Sequence, residues 1–131
     1  MIKRIVLAVV AVFATWTVMD IVIHGVILSK TYADTAQLWR PMEQMKMGLM
    51  HLVVLISATV FVSLYALFVG KKSVATAVKF GLLFGLGAGV SMSYGTYAVM
   101  PIPYKIAITW FIGTLAETTV AGLLVGSIVK E

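Results

Sequence analysis

Four carboxyl or imidazole side chains interrupt otherwise apolar stretches of this sequence: Asp20 and His24 in the first, His51 in the second and Glu117 in the last. Asp20 and His24 are four residues apart, so a helix sets them on one face. Two imidazoles and a carboxylate make a common ligand set for a divalent metal, and Asp20, His24 and His51 are the candidate ligands. The alternative is structural: Asp20 accepts hydrogen bonds from His24 and a tyrosine and locks a helix bundle. Haem held between His24 and His51 is a further reading, but no attachment motif accompanies it. Copper enters through PMEQMKMGLMH, where Met42, Met45, Met47 and Met50 precede His51. Soft thioethers suit Cu(I), yet these four do not share a helical face, and methionine is also an ordinary apolar filler. Glu117, in GTLAETT, is a candidate intramembrane proton carrier, with a glutamate that pins its helix to threonines as the alternative.

These residues need elements to hold them. The chain has 131 residues, 61% hydrophobic and 11% charged. So few charges cannot cover a soluble surface, so lipid must solvate the remainder. Spanning the hydrocarbon core takes about 20 apolar residues, and four runs suffice: 5–28, 47–69, 76–100 and 105–128. The expected fold is an all-α, single-domain, four-helix transmembrane bundle. The first run follows Met-Ile-Lys-Arg as a signal peptide would, but it is long for one and lacks a small-x-small cleavage site, so it is expected to stay in the membrane. In the 29–46 loop, Asp34 or Thr35 is expected to cap a short interfacial helix, and the second span is expected to start as early as Pro41.

Lys3, Arg4, Lys71, Lys72, Lys79 and Lys130 fall on one side of such a bundle; Lys30, Arg40, Lys46 and Lys105 fall on the other. The first group lies in short tails and in or beside a short loop, where the positive-inside rule acts most clearly, so both termini are expected in the cytoplasm. The 29–46 loop and the Pro101/Pro103 turn then face outward. Tyr32, Trp39, Tyr104 and Trp110 lie near that boundary as belt aromatics. At a rise of about 1.5 Å per residue, His24 lies near the outer boundary, Asp20 and His51 about 6 Å deeper, and Glu117 near the midplane. Trp16 is deeper than belt tryptophans usually are, and its N–H is expected to find a threonine.

Gly81, Gly85 and Gly89 recur every fourth residue, continued by Ser93 and Tyr97, and Gly87 and Gly95 add small positions. Thr118, Gly122 and Gly126 repeat the spacing in the last run. Small residues let helices approach closely in lipid, so these rows are expected to pack the third and fourth spans together, with a homodimer seam as the alternative. Glycines within an apolar span are not a phosphate loop, and no nucleophile–base constellation or dinucleotide fingerprint is present. The absence of cysteine excludes disulfides and thiolate chemistry. The net charge of +5 lies at the ends of apolar runs, which favours membrane orientation over nucleic acid.

At Asp20-Ile-Val-Ile-His-Gly25, Leu38-Trp-Arg-Pro41, Gly95-Thr-Tyr97, Pro101-Ile-Pro103 and Glu117-Thr-Thr-Val-Ala-Gly122, the chain resembles a group of small, uncharacterised bacterial four-span inner-membrane proteins, a domain of unknown function. The resemblance implies four helices in a bacterial inner membrane and brings no substrate, cofactor or active site. The expected function is that of a non-catalytic accessory subunit or small binding protein, partnered by lipid and by other membrane subunits or itself. Its site would be polar, near the periplasmic face, with a divalent metal or copper as the candidate cofactor. The alternative is a small oligomeric proton-coupled transporter using Glu117. Such a pathway needs polar groups along its whole length, and the cytoplasmic half is nearly all apolar.

Overall fold

The computed structural model describes residues 1–131. Four helices are long and apolar enough to cross a membrane: Ile2–Ile27, Met47–Phe68, Val74–Val99 and Tyr104–Ile128. In hydrocarbon the backbone has no water to bond, so an apolar run must satisfy its own N–H and C=O groups, which a helix does. The first span is α1 (Ile2–Val22) continued by a π-helical turn, Ile23–Ile27. A short α2 (Ser29–Asp34) follows, then α3 (Met47–Phe68), α4 (Val74–Val99) and α5 (Tyr104–Ile128). Arg4 Nη1 donates to the Lys130 carbonyl at 3.2 Å, so both termini lie at one end of the bundle. The 29–46 loop and the Pro101/Pro103 turn form the opposite, loop end.

The glycine rows join α4 to α5. A Cβ on Gly81 would meet the Thr118 carbonyl, and one on Gly85 would meet the Thr118 hydroxyl, with Leu115 Cα at 3.3 Å. One on Gly89 would meet Phe111 at 3.2 Å and Thr114 at 3.4 Å. The row on α5 answers: a Cβ on Gly122 would stand 2.5 Å from the Ala77 carbonyl, and one on Gly126 2.8 Å from Val74 Cα. Ser93 extends the buried row and returns its hydroxyl to the Gly89 carbonyl. Gly87 and Gly95 have nothing within 4 Å of an added Cβ, so they face away from this seam.

Toward the termini end the core is continuous. Ala8, Val12 and Trp16 of α1 meet Ala58, Phe61, Val62 and Tyr65 of α3, Ala77 of α4, and Ala121 and Val125 of α5. Phe61 lies 5.6 Å from Trp16, 5.1 Å from Phe80 and 5.2 Å from Phe84, centroid to centroid, so aromatic rings bridge α3 to α4. Tyr65 Oη accepts from Ser73 N at 3.1 Å and donates to Ser73 O at 3.0 Å, while Ser73 Oγ accepts from Thr76 N at 3.0 Å to cap α4. A smaller core at the loop end gathers Ile23, Leu28, Ile102, Ile106 and Ala107 under Tyr32, Leu38, Trp39 and Trp110.

Two loop expectations are corrected. The interfacial helix ends at Asp34 rather than starting there. Thr35 caps nothing: it donates to the Thr31 carbonyl at 2.7 Å and accepts from Trp39 Nε1 at 2.9 Å. Pro41 leads only into a single 3₁₀ turn, Met42–Gln44; Met45 is extended at φ −69°, ψ 133°, and α3 begins at Met47.

Filling the seam against backbone leaves no flexible atom to yield, and overpacking of this kind costs about 1–3 kcal/mol. Gly81→Ala is therefore expected to lower the thermal stability of the detergent-solubilised protein, whereas Gly87→Ala leaves it unchanged or raised. Unfolding followed by circular dichroism on the two variants checks this.

Candidate functional site

The π-helical turn sets the geometry of the loop end. Leu28 N bonds back five residues to the Ile23 carbonyl at 3.0 Å, and the widened turn carries His24 at its start. Extra turns of this kind are frequent at functional sites. His24 Nδ1 lies 2.6 Å from Tyr32 Oη, and the two rings stack at 5.9 Å. Trp110 Nε1 of α5 donates to the same hydroxyl at 2.7 Å. The indole can only donate, so Tyr32 oxygen accepts from it. Between the phenol and His24 Nδ1 either can donate, according to the imidazole tautomer; where the phenol donates, a neutral imidazole carries its proton on Nε2. That nitrogen faces Asp20 Oδ1 at 3.9 Å, close enough for an ion pair and too long for a direct hydrogen bond.

Below His24, the Asp20 carboxyl stands beside the carboxyl of Glu117 on α5. A hydrogen bond between the two would require that one carry a proton, because two carboxylates have only acceptors. Trp16 Nε1 donates to the Glu117 backbone carbonyl at 2.8 Å, in place of the expected threonine. Ile23 lies against the open face of Gly113, at 2.9 Å from the position of an added Cβ. Three consecutive contacts of α1 and its π-helical extension, at Trp16, Asp20 and Ile23, thus fix the first span against α5. The result is a ladder of polar groups, Glu117, Asp20, His24, Tyr32 and Trp110, from mid-bundle to the loop end. Below it, toward the termini, lies the apolar core. The Asp20 and His24 side chains remain 32% and 41% exposed on the flank of the bundle.

The structure does not assemble Asp20, His24 and His51 into one ligand set. No three histidine, aspartate or glutamate side chains lie close enough to hold a metal ion. His51 is exposed, with no side-chain hydrogen bond or ion pair. A matched depth says nothing of lateral position. Among residues 47–57 of α3 only Val54 is even half-buried, because α3 packs through Ala58 to Ala66, toward the termini. Bis-His haem ligation and the copper reading, which both rely on His51, lose the same support; Met42, Met47 and Met50 are likewise more than half exposed. Sequence alone treats Glu117 and Asp20 as separate features, and the structure brings them together. Tyr32 and Trp110, read as belt residues, are working members of the ladder.

Tyr32 lies outside the spans, and its hydroxyl ionises less readily than an ordinary phenol: burial raises its pKa from 10.0, the Trp110 hydrogen bond opposes this, and the Asp20 charge adds to it. A comparison with family models, curated proteins and solved structures returned no match.

Tyr32→Phe removes the hydroxyl shared by Trp110 and His24 and leaves the half-buried Trp110 N–H without its partner, which costs about 1–3 kcal/mol. His51→Ala is expected to fall within about 0.5 kcal/mol of wild type, as exposed substitutions do. Because the folded phenol has the higher pKa, its stabilisation is complete below about pH 10 and is lost as pH rises through the folded value. Thermal unfolding of both variants across this range checks size and sign: Tyr32→Phe should flatten the alkaline decline.

Proposed function

We propose that the chain is a non-catalytic, proton-binding subunit of a bacterial inner membrane, with both termini in the cytoplasm and its site open to the periplasmic face. The observation that carries this reading is the carboxyl pair Asp20–Glu117, joined to the loop end through His24 and Tyr32. A proton reaching Tyr32 and His24 can pass along hydrogen bonds and at most one intervening water to a site that holds it between two carboxyl oxygens. The site is not a through-path within one copy, since Ala8, Val12, Phe61, Val62, Ala121 and Val125 fill the half beneath it. This supports an accessory or sensing role over transport by a single chain. The oligomeric, proton-coupled reading is the second one: it is favoured by the partial exposure of Asp20 and His24, which lets a neighbouring helix complete a pathway. The resemblance to small four-span inner-membrane proteins fits either reading.

Infrared spectroscopy of the purified protein tests the proposal. Wild type at pH 7 is expected to show a protonated-carboxyl band that Glu117→Gln removes. Transfer to deuterated water should shift that band rapidly in wild type and at least about tenfold more slowly in His24→Leu. No protonated-carboxyl band in wild type, or equal exchange in both proteins, contradicts the reading.

A further inference from the structure

Between α4 and α5, toward the termini end, a shallow groove of about 380 Å³ is lined by Lys79, Leu82, Leu83, Leu86 and Leu115. Leu83 is 72% exposed, so this is an outer face of the bundle and not its core. Lys79 is exposed and has no carboxylate within ion-pair distance. It stands five residues after Val74, about 7.5 Å along α4. Leu86 lies about 10 Å further toward the midplane. Lys72, half-buried at the same end, already donates its ammonium to the Val69 carbonyl at 2.9 Å. An ammonium at this depth extends along its stem toward the headgroup level while the stem stays in apolar surroundings. The groove therefore offers a free positive charge at the interface with a strip of leucine beneath it. Its floor belongs to the glycine seam, for Leu115 Cα lies 3.3 Å from a Cβ built on Gly85.

We propose that this groove binds an anionic phospholipid, its phosphate on Lys79 and one acyl chain along Leu82, Leu83, Leu86 and Leu115. Basic pockets between spans are the usual place for such headgroups. The site is separate from the polar ladder, which meets α5 at Glu117 and Trp110 and otherwise lies on α1 and α2. An occupant here spans the α4–α5 seam from outside and reinforces the pair that the rest of the bundle packs against.

Native mass spectrometry of the full chain in detergent, titrated with phosphatidylglycerol or phosphatidylcholine, tests this. Wild type is expected to retain one phosphatidylglycerol more tightly than phosphatidylcholine. Lys79→Gln is expected to bind phosphatidylglycerol about fivefold more weakly, the effect of one lysine near a surface, with phosphatidylcholine unchanged. Lys79→Arg should retain it, and Lys105→Gln, at the other end, should behave as wild type. Both lysines are exposed, and equal melting temperatures confirm folding. Equal loss in Lys79→Gln and Lys105→Gln, or no preference for the anionic lipid, overturns the proposal. Displacement of phosphatidylglycerol by millimolar inorganic phosphate also overturns it, since the acyl groove would then contribute nothing.

Discussion

Close approach of α4 and α5 is the interaction on which the bundle depends. Lipid tails are as apolar as leucine, so burial of leucine against leucine gives helices little reason to associate. Removing side chains does. With hydrogen alone at Gly81, Gly85, Gly122 and Gly126, the backbones come within reach of each other's carbonyl groups, and dispersion contacts accumulate along two helices. The short Pro101/Pro103 turn makes these spans neighbours before they pack. The pair then offers α1 and α3 a formed surface: Gly113 receives Ile23, and Ala77, Phe80 and Phe84 receive the aromatic end of α3.

On that surface α1 is held by polarity. Trp16 and Asp20 each meet Glu117, one through its backbone and one through its carboxyl. An apolar helix sliding against another finds many near-equivalent registers, whereas a hydrogen bond in hydrocarbon is satisfied in few. Two carboxyl groups cost more to insert than amides or hydroxyls of similar reach would, about 2.5–3.5 kcal/mol for a charged aspartate at the centre of a helix. Register alone does not explain that choice, since an asparagine–glutamine pair would also fix it. The proton binding proposed for the pair would account for it, and the same pair would then serve both position and chemistry.

The four spans are legible in the sequence because length and composition decide them, and the glycine rows are legible because spacing is a local property. Offset along a span and lateral placement are not, for counting residues fixes neither a helix's height nor its face against a neighbour. Residue counting puts His51 level with Asp20, yet α3 turns its loop-end half away, because Leu49 to Ile56 holds no small residue that would draw it toward a neighbour, and Gly48 has nothing within 4 Å of an added Cβ. Conversely, residue counting puts Glu117 near the midplane and apart from Asp20, since nothing in an apolar helix announces its offset against another. Tyr32 and Trp110 are hidden by a sound rule, that aromatics gather at the interface, which names their depth but not their partners. The π-helical turn that aims His24 at Tyr32 depends on a single displaced hydrogen bond and leaves no pattern in the residues that surround Gly25.

The site turns on which side chain Asp20 faces, and the chain's lack of cysteine makes that directly measurable. Asp20→Cys combined with Glu117→Cys, and Asp20→Cys combined with His51→Cys, can each be treated in native membranes with a bifunctional thiol reagent one side-chain length long. Intramolecular linkage, scored by mass spectrometry after proteolysis, is predicted for the Asp20/Glu117 double variant and not for the Asp20/His51 double variant. Efficient linkage in the Asp20/His51 variant, with none in the Asp20/Glu117 variant, would contradict the structure of the site and the function built on it.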